Sequence, residues 1–126
     1  MSTILIVEDN EKNMKLVRDI LQHRGHQTIE AATGEEGVRL AGEHRPDLVL
    51  MDIQLPDIDG IAALGRIRAV PALDGVPVIA VSASVMPDDQ QKIVASGFDA
   101  FITKPIHLKQ FLATVERVLA DGRAPR

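Results

Sequence analysis

The chain has 126 residues, 45% hydrophobic and 25% charged, which fits one compact domain with a single core and leaves no room for a second. Fourteen Lys and Arg against 18 Asp and Glu give a formal charge of -4, which argues against sequence-blind nucleic-acid binding by a basic face. Cys, Tyr and Trp are absent and Phe98, Phe101 and Phe111 are the only aromatic residues, so the core is aliphatic and nothing points to an oxidising compartment.

From the N-terminus, Ile4-Leu5-Ile6-Val7 is a continuous apolar run that begins at Thr3 and stops at Glu8. Continuous rather than alternating hydrophobicity marks a parallel strand covered on both faces. Met14, Val17 and Leu21 then share one face of a helix that ends at Gly25. A weaker strand runs from Gln27 to Ala31, and Thr33 with Glu36 three residues on makes a capping box that opens the second helix. Leu48-Val49-Leu50-Met51 is the third strand, ending at Asp52, and a third helix starts near Asp59 and carries Ile61, Leu64 and Ile67. Val78-Ile79-Ala80-Val81 is the fourth strand and stops at Ser82. Pro87 with Asp88 and Asp89 opens the fourth helix, and Gly97 closes it. A weak fifth strand from Ala100 to Thr103 precedes Lys104. The last helix presents Leu108, Phe111, Leu112, Val115, Val118 and Leu119 on one face.

Five strands alternating with five helices, joined by right-handed crossovers, form an α/β fold: a three-layer, doubly wound (βα)5 unit with a parallel sheet between helical layers. The domain is expected over residues 1–122, with a frayed tail over 123–126. No apolar run approaches the roughly 20 residues of a membrane span, and a strand starting at Thr3 leaves no signal peptide, so the expected location is the cytoplasm.

In such a sheet the ligand site forms beyond the carboxyl ends of the strands. Glu8 and Asp9 follow the first strand, Asp52 the third, Ser82 the fourth and Lys104 the fifth. Taken singly, each has an ordinary explanation as a helix-entry pair, a turn former, a backbone capper or a solvated lysine. Taken together they bring three carboxylates, a hydroxyl and an ammonium to one place. Two like charges about 5 Å apart at an effective dielectric near 20 repel by on the order of 3 kcal/mol. A hard divalent cation relieves that repulsion, and Mg²⁺ suits a shallow site with few protein oxygens. With Lys104 and Ser82 facing an anionic group beside it, the inferred chemistry is phosphoryl transfer.

These residues resemble the receiver domains of two-component response regulators over Thr3 to about Asp121. Ile4 to Asn10 (ILIVEDN) resembles the acidic first-strand motif and Leu48 to Gly60 (LVLMDIQLPDIDG) the phosphoacceptor segment. Val78 to Ala83 (VIAVSA) resembles the hydroxyl motif, and Phe101 to Pro105 (FITKP) the lysine motif. Glu8 to Asn13 and the run MDIQLP look most like stand-alone receivers of the DivK cell-division type and the receivers of hybrid histidine kinases.

The resemblance implies a flavodoxin-like strand order 2-1-3-4-5 in the CheY-like superfamily. It implies that Asp52 takes a phosphoryl group from a phosphohistidine on a histidine kinase or histidine phosphotransferase. Asp9, Asp52 and the main-chain carbonyl of Gln54 would ligate Mg²⁺, with Glu8 acting through bound water. Lys104, Ser82 and the Ala83 amide would contact phosphoryl oxygens, and Lys104-Pro105 would be a cis peptide. Ser82 and Phe101 would form the switch that reshapes the face of helix four, strand five and helix five for a downstream protein. The protein would be a monomer or weak dimer without direct contact to nucleic acid or membrane, and no enzyme beyond its own phosphorylation and dephosphorylation.

The sequence departs from the commonest receiver pattern in having Ser rather than Thr at 82, which drops a methyl group that restricts rotamers. Phe101 lacks a hydroxyl, and the resemblance implies that Gln54 and Ser84 occupy the positions that would set the dephosphorylation rate. An aspartate-nucleophile phosphatase would carry a second aspartate where Gln54 stands. An FMN protein or P-loop enzyme would need a small-residue, phosphate-cradling loop where Glu8 and Asp9 stand. The start at Met1 and the short basic tail favour a stand-alone protein over a receiver cut from a hybrid kinase. His23, His26, His44 and His107 lack ligand spacing and read as surface residues, with His107 near the output face.

Overall fold

The computed structural model describes residues 2–83 and 86–123. Five strands, β1 (Thr3–Val7), β2 (Gln27–Ala31), β3 (Leu48–Asp52), β4 (Val78–Ser82) and β5 (Ala100–Thr103), form one parallel sheet in the order β2-β1-β3-β4-β5. The helices α1 (Glu11–His23), α2 (Gly34–His44), α3 (Gly60–Arg68), α4 (Pro87–Ala95) and α5 (Leu108–Asp121) cover it, with a 3₁₀ turn at Pro71–Leu73. Among the described residues no helix is long and apolar enough to cross a membrane.

The expected single core is two. Side chains of a strand alternate between faces, so Leu5, Val7, Val49, Met51, Val78 and Ala80 pack on one side with Ala41, Ala63, Leu64, Ile67 and Ile93 of α2, α3 and α4. Ile4, Ile6, Leu48, Leu50, Ile79 and Val81 pack on the other with Met14, Val17 and Leu21 of α1 and Phe111, Val115 and Val118 of α5. Every residue of β3 and β4 is buried, which is why both read as unbroken apolar runs. Both extend one residue past those runs, taking in Asp52 and Ser82.

Local chemistry sets the helix starts. The Asn10 side chain accepts from Asn13 N–H at 3.0 Å and the Asp59 side chain from Ala62 N–H at 2.7 Å. Thr33 Oγ1 accepts from Glu36 N–H at 3.1 Å, as a capping box requires. The Glu36 carboxylate, however, turns back to Ala32 N–H at 3.3 Å rather than to Thr33. Leu108 departs from the expected apolar stripe: it is 55% exposed in the first turn of α5, and fully buried packing on the sheet begins at Phe111.

At the amino end of the strands a charged cluster closes the domain. The Asp99 carboxylate accepts from Val78 N–H at 2.8 Å and from Arg68 Nη2 at 3.2 Å, while Arg68 Nη1 donates to the Val76 carbonyl at 2.7 Å. Arg123, assigned to the frayed tail by the sequence, is instead held to the body, donating to the Asp74 carbonyl at 2.6 Å with its Nε 3.9 Å from Asp99 Oδ1. The Asp99 side chain is only 3% exposed, so deleting it takes the carboxylate from the half-buried Arg68 guanidinium, which keeps its carbonyl contacts. Asp99→Ala is expected to lose about 3 kcal/mol in urea unfolding, the lower end of the cost of breaking a buried ion pair; an unchanged midpoint would show that the cluster is solvated.

Candidate functional site

The sheet order reverses direction at β1, which pairs with both β2 and β3. Crevices at such a point, outside the carboxyl ends of the strands, are where open α/β sheets bind ligands. Parallel register brings the ends level: Val7 pairs with Met51, Asp52 with Val81, and Ser82 with Thr103. The next residues are therefore Glu8 and Asp9 beyond β1 and Lys104 beyond β5.

Glu8, Asp52 and Ser82 are buried, at 6%, 3% and 5% exposure, while Asp9 is exposed. Ligand oxygens of Glu8, Asp9 and Asp52 all lie within 4.8 Å of one another. Lys104 Nζ sits 2.9 Å from Glu8 Oε1 and 2.9 Å from Asp52 Oδ2. Main-chain amides hold the remaining oxygens: Asn10 N–H donates to Glu8 Oε2 and Gln54 N–H to Asp52 Oδ1, each at 3.1 Å. Lys104 N–H donates to the Ser82 carbonyl at 2.8 Å, which ties the lysine to the end of β4. The peptide between Lys104 and Pro105 is cis.

These charges shift protonation. Burial, and then the hydrogen bond shared with Asp52, push the Glu8 carboxyl up to about 7 against the opposing pull of Lys104 and the Asn10 amide. Burial pulls the Lys104 ammonium down, but its hydrogen bonds to Asp52 and Glu8 more than offset this and leave it raised. The site at rest thus holds one ammonium against two buried carboxylates.

Residues 4–116 match the response regulator receiver domain family. The chain belongs to this family. It is 44% identical over 120 residues to the polar-differentiation response regulator DivK of Brucella anthropi, covering 95% of this chain and 98% of that protein. The receiver domain of a Pseudomonas aeruginosa sensor histidine kinase, solved with a magnesium ion coordinated in its active-site cleft, superposes with a TM-score of 0.88 at 31% identity, over 94% of this chain and 98% of that one. The signal receiver domain of a signal transduction histidine kinase from Syntrophus aciditrophicus gives a TM-score of 0.88 at 34% identity, over 96% and 92%.

In this receiver Glu8, Asp9, Asp52 and Lys104 converge as the sequence suggests, and Ala83 and Gln54 are exposed beside them. Ser84 lies outside the described residues. Phe101 is half-buried opposite Ala80, two residues from the Ser82–Thr103 pair and on the same face of the sheet. Of the histidines, His23, His44 and His107 are exposed, but His26 is half-buried, because it follows the turn that leads into β2, and its Nδ1 has no hydrogen-bond partner.

Sequence reasoning missed the lysine's resting role. It set Lys104 against an incoming anion, whereas the structure makes it the internal counter-ion of Glu8 and Asp52. It also gave no role to Asp57, which binds the first turn of α2. Gly60, part of the quoted phosphoacceptor segment, is required for a steric reason: a Cβ there would run into the Asp52 carbonyl oxygen.

The raised Glu8 sets a pH dependence for the metal-free receiver. Between 4.5 and about 7 the unfolded chain releases a proton that the folded state keeps, so Glu8 makes stability fall as pH rises through that window and adds no slope above it. Glu8→Gln should remove this component and raise the urea midpoint at mildly alkaline pH. Parallel stability–pH curves for the variant and the wild type would contradict the assignment.

Proposed function

We propose that this receiver accepts a phosphoryl group on Asp52 from a phosphohistidine of a histidine kinase or histidine phosphotransferase, with Mg²⁺ as cofactor. The observation that carries the reading is the buried Asp52 carboxylate, held 2.9 Å from Lys104 Nζ with the oxygens of Glu8 and Asp9 within 4.8 Å. The donor set is all oxygen and includes an exposed carboxylate, which suits a hard cation. Burial and the hydrogen bond shared with Asp52 push Glu8 up to about 7, so the cluster holds its carboxylates together at a cost that a cation would relieve. Asp9, Asp52 and the Gln54 main-chain carbonyl would hold the ion, with Glu8 contributing through water. When bound, Mg²⁺ supplies charge that offsets the carboxylates and the oxygens of the transferring group.

An Asp52 oxygen attacks phosphorus, the phosphorus–nitrogen bond of the donor breaks, and an acyl phosphate forms. The nitrogen leaves with the bonding electron pair. Lys104 exchanges its contact with Asp52 Oδ2 for a phosphoryl oxygen, and the Ser82 hydroxyl and Ala83 amide bond the others. Fixed charges aimed at the transferring group are the main contribution a protein makes to this chemistry.

Signalling follows from the same contacts. As Ser82 moves towards the phosphoryl group, the half-buried Phe101 on the same face turns inward and the surface of α4, β5 and α5 changes for a downstream protein. Apolar side chains already stand on α4 and at its start, with Met86 62% and Val94 57% exposed.

Incubation with acetyl phosphate and Mg²⁺, followed by intact mass and peptide mapping, tests this. The wild type is expected to gain one phosphoryl group on Asp52, Asp52→Asn none, and chelation of the metal to prevent labelling. Equal labelling of Asp52→Asn would refute the assignment.

A further inference from the structure

The loop 53–59 carries the Gln54 carbonyl and is anchored from several directions. Ile53 N–H donates to the Val81 carbonyl at 3.0 Å, and Gly60 N–H donates back to the Ile53 carbonyl at 2.9 Å. Between these points Asp57 reaches out of the loop altogether. Its Oδ1 accepts from Gly34 N–H and its Oδ2 from Glu35 N–H, each at 2.8 Å. These are first-turn amides of α2, which have no acceptor within their own helix, and the helix dipole favours a carboxylate there. The Glu35 amide first, and the Gly34 amide with it, hold the Asp57 carboxyl below the usual carboxylate range.

Packing reinforces the contact. Ile58 lies so close to Gly34 that a Cβ there would stand 2.5 Å from Ile58 Cγ1, and Arg66 of α3 pairs with Glu35 of α2. The helix has a cap of its own in Thr33, which takes the Glu36 amide. What Asp57 adds is a bond between segments distant in sequence, and the part it restrains is the loop. Gln54 is exposed, so the position of its carbonyl depends on these anchors rather than on packing of its side chain.

We infer that Asp57 is a positioning residue for cation binding: by clamping the loop to the N-terminus of α2, it sets where the Gln54 carbonyl stands relative to Asp9 and Asp52. The inference rests on the proposed Mg²⁺ site and deepens it. Groups that orient metal ligands without touching the metal typically change affinity by about 10–100-fold when removed.

The test is Mg²⁺ titration of the full chain by calorimetry, with backbone amide exchange at Gln54 in metal-free protein as a second readout. Thr33→Ala is the control, since it removes a cap from the same helix without touching the loop. Asp57→Ala is expected to weaken Mg²⁺ binding about tenfold and to quicken exchange at Gln54, with phosphorylation recovered at saturating Mg²⁺. Asp57→Asn, which keeps one acceptor oxygen, should fall between Asp57→Ala and wild type, and Thr33→Ala should bind as wild type. Wild-type affinity in Asp57→Ala, or an equal loss in Thr33→Ala, would overturn the positioning role while leaving the Mg²⁺ site standing. A wild type that binds no Mg²⁺ would overturn the site and the inference together.

Discussion

One ammonium group facing two buried carboxylates governs the carboxyl end of this sheet. Lys104 Nζ stands 2.9 Å from both Glu8 and Asp52, and a buried carboxylate without such a partner would be neutralised or expelled to solvent. Burial, and then the hydrogen bond shared with Asp52, outweigh the pull of that single ammonium, so Glu8 is pushed up to about 7. The same crowding would favour a divalent cation, and in the proposed transfer the lysine that faces the carboxylates at rest would meet a phosphoryl oxygen. Stability and the proposed phosphoryl transfer would therefore draw on the same three side chains.

The fold makes this crowding possible by being rigid elsewhere. In an all-parallel sheet every strand ends on the same edge, so the polar residues after β1, β3, β4 and β5 meet without any long-range coincidence of loops. Two apolar layers hold the strands from either side, and the Asp99, Arg68 and Arg123 cluster closes the opposite end. Around the site itself, backbone amides rather than side-chain packing fix the carboxylates. Asn10 and Gln54 N–H bond Glu8 and Asp52, and Asp57 ties the loop 53–59, which follows Asp52, to α2.

The strands were legible because burial on both faces writes an uninterrupted apolar run, and those runs stop where polar groups must face the site. Asp52 and Ser82 belong to their strands, yet hydrophobicity cannot report a residue that is buried and polar at once. The convergence of Glu8, Asp9, Asp52 and Lys104 was readable from strand ends together with the receiver resemblance. What Lys104 touches at rest was not, because an ion pair across 52 positions leaves no local pattern. Asp57 was hidden for the same reason: within its own segment it looks like a turn former, and its partners lie on the preceding helix. Arg68, Asp99 and Arg123 look like solvated charges at element ends, and only their spatial meeting makes them a buried cluster. Leu108 shows the reverse error, since periodicity assigned to the core a residue that the first turn of α5 leaves in solvent.

As the resting counter-ion of the carboxylates that would hold the cation, Lys104 competes with it. The most discriminating measurement is calorimetric Mg²⁺ affinity of Lys104→Met against wild type at one mildly alkaline pH. Removing the ammonium should tighten Mg²⁺ binding, because the ion no longer competes with a fixed cation for the Glu8 and Asp52 oxygens. Unchanged or weaker binding in Lys104→Met would contradict the account.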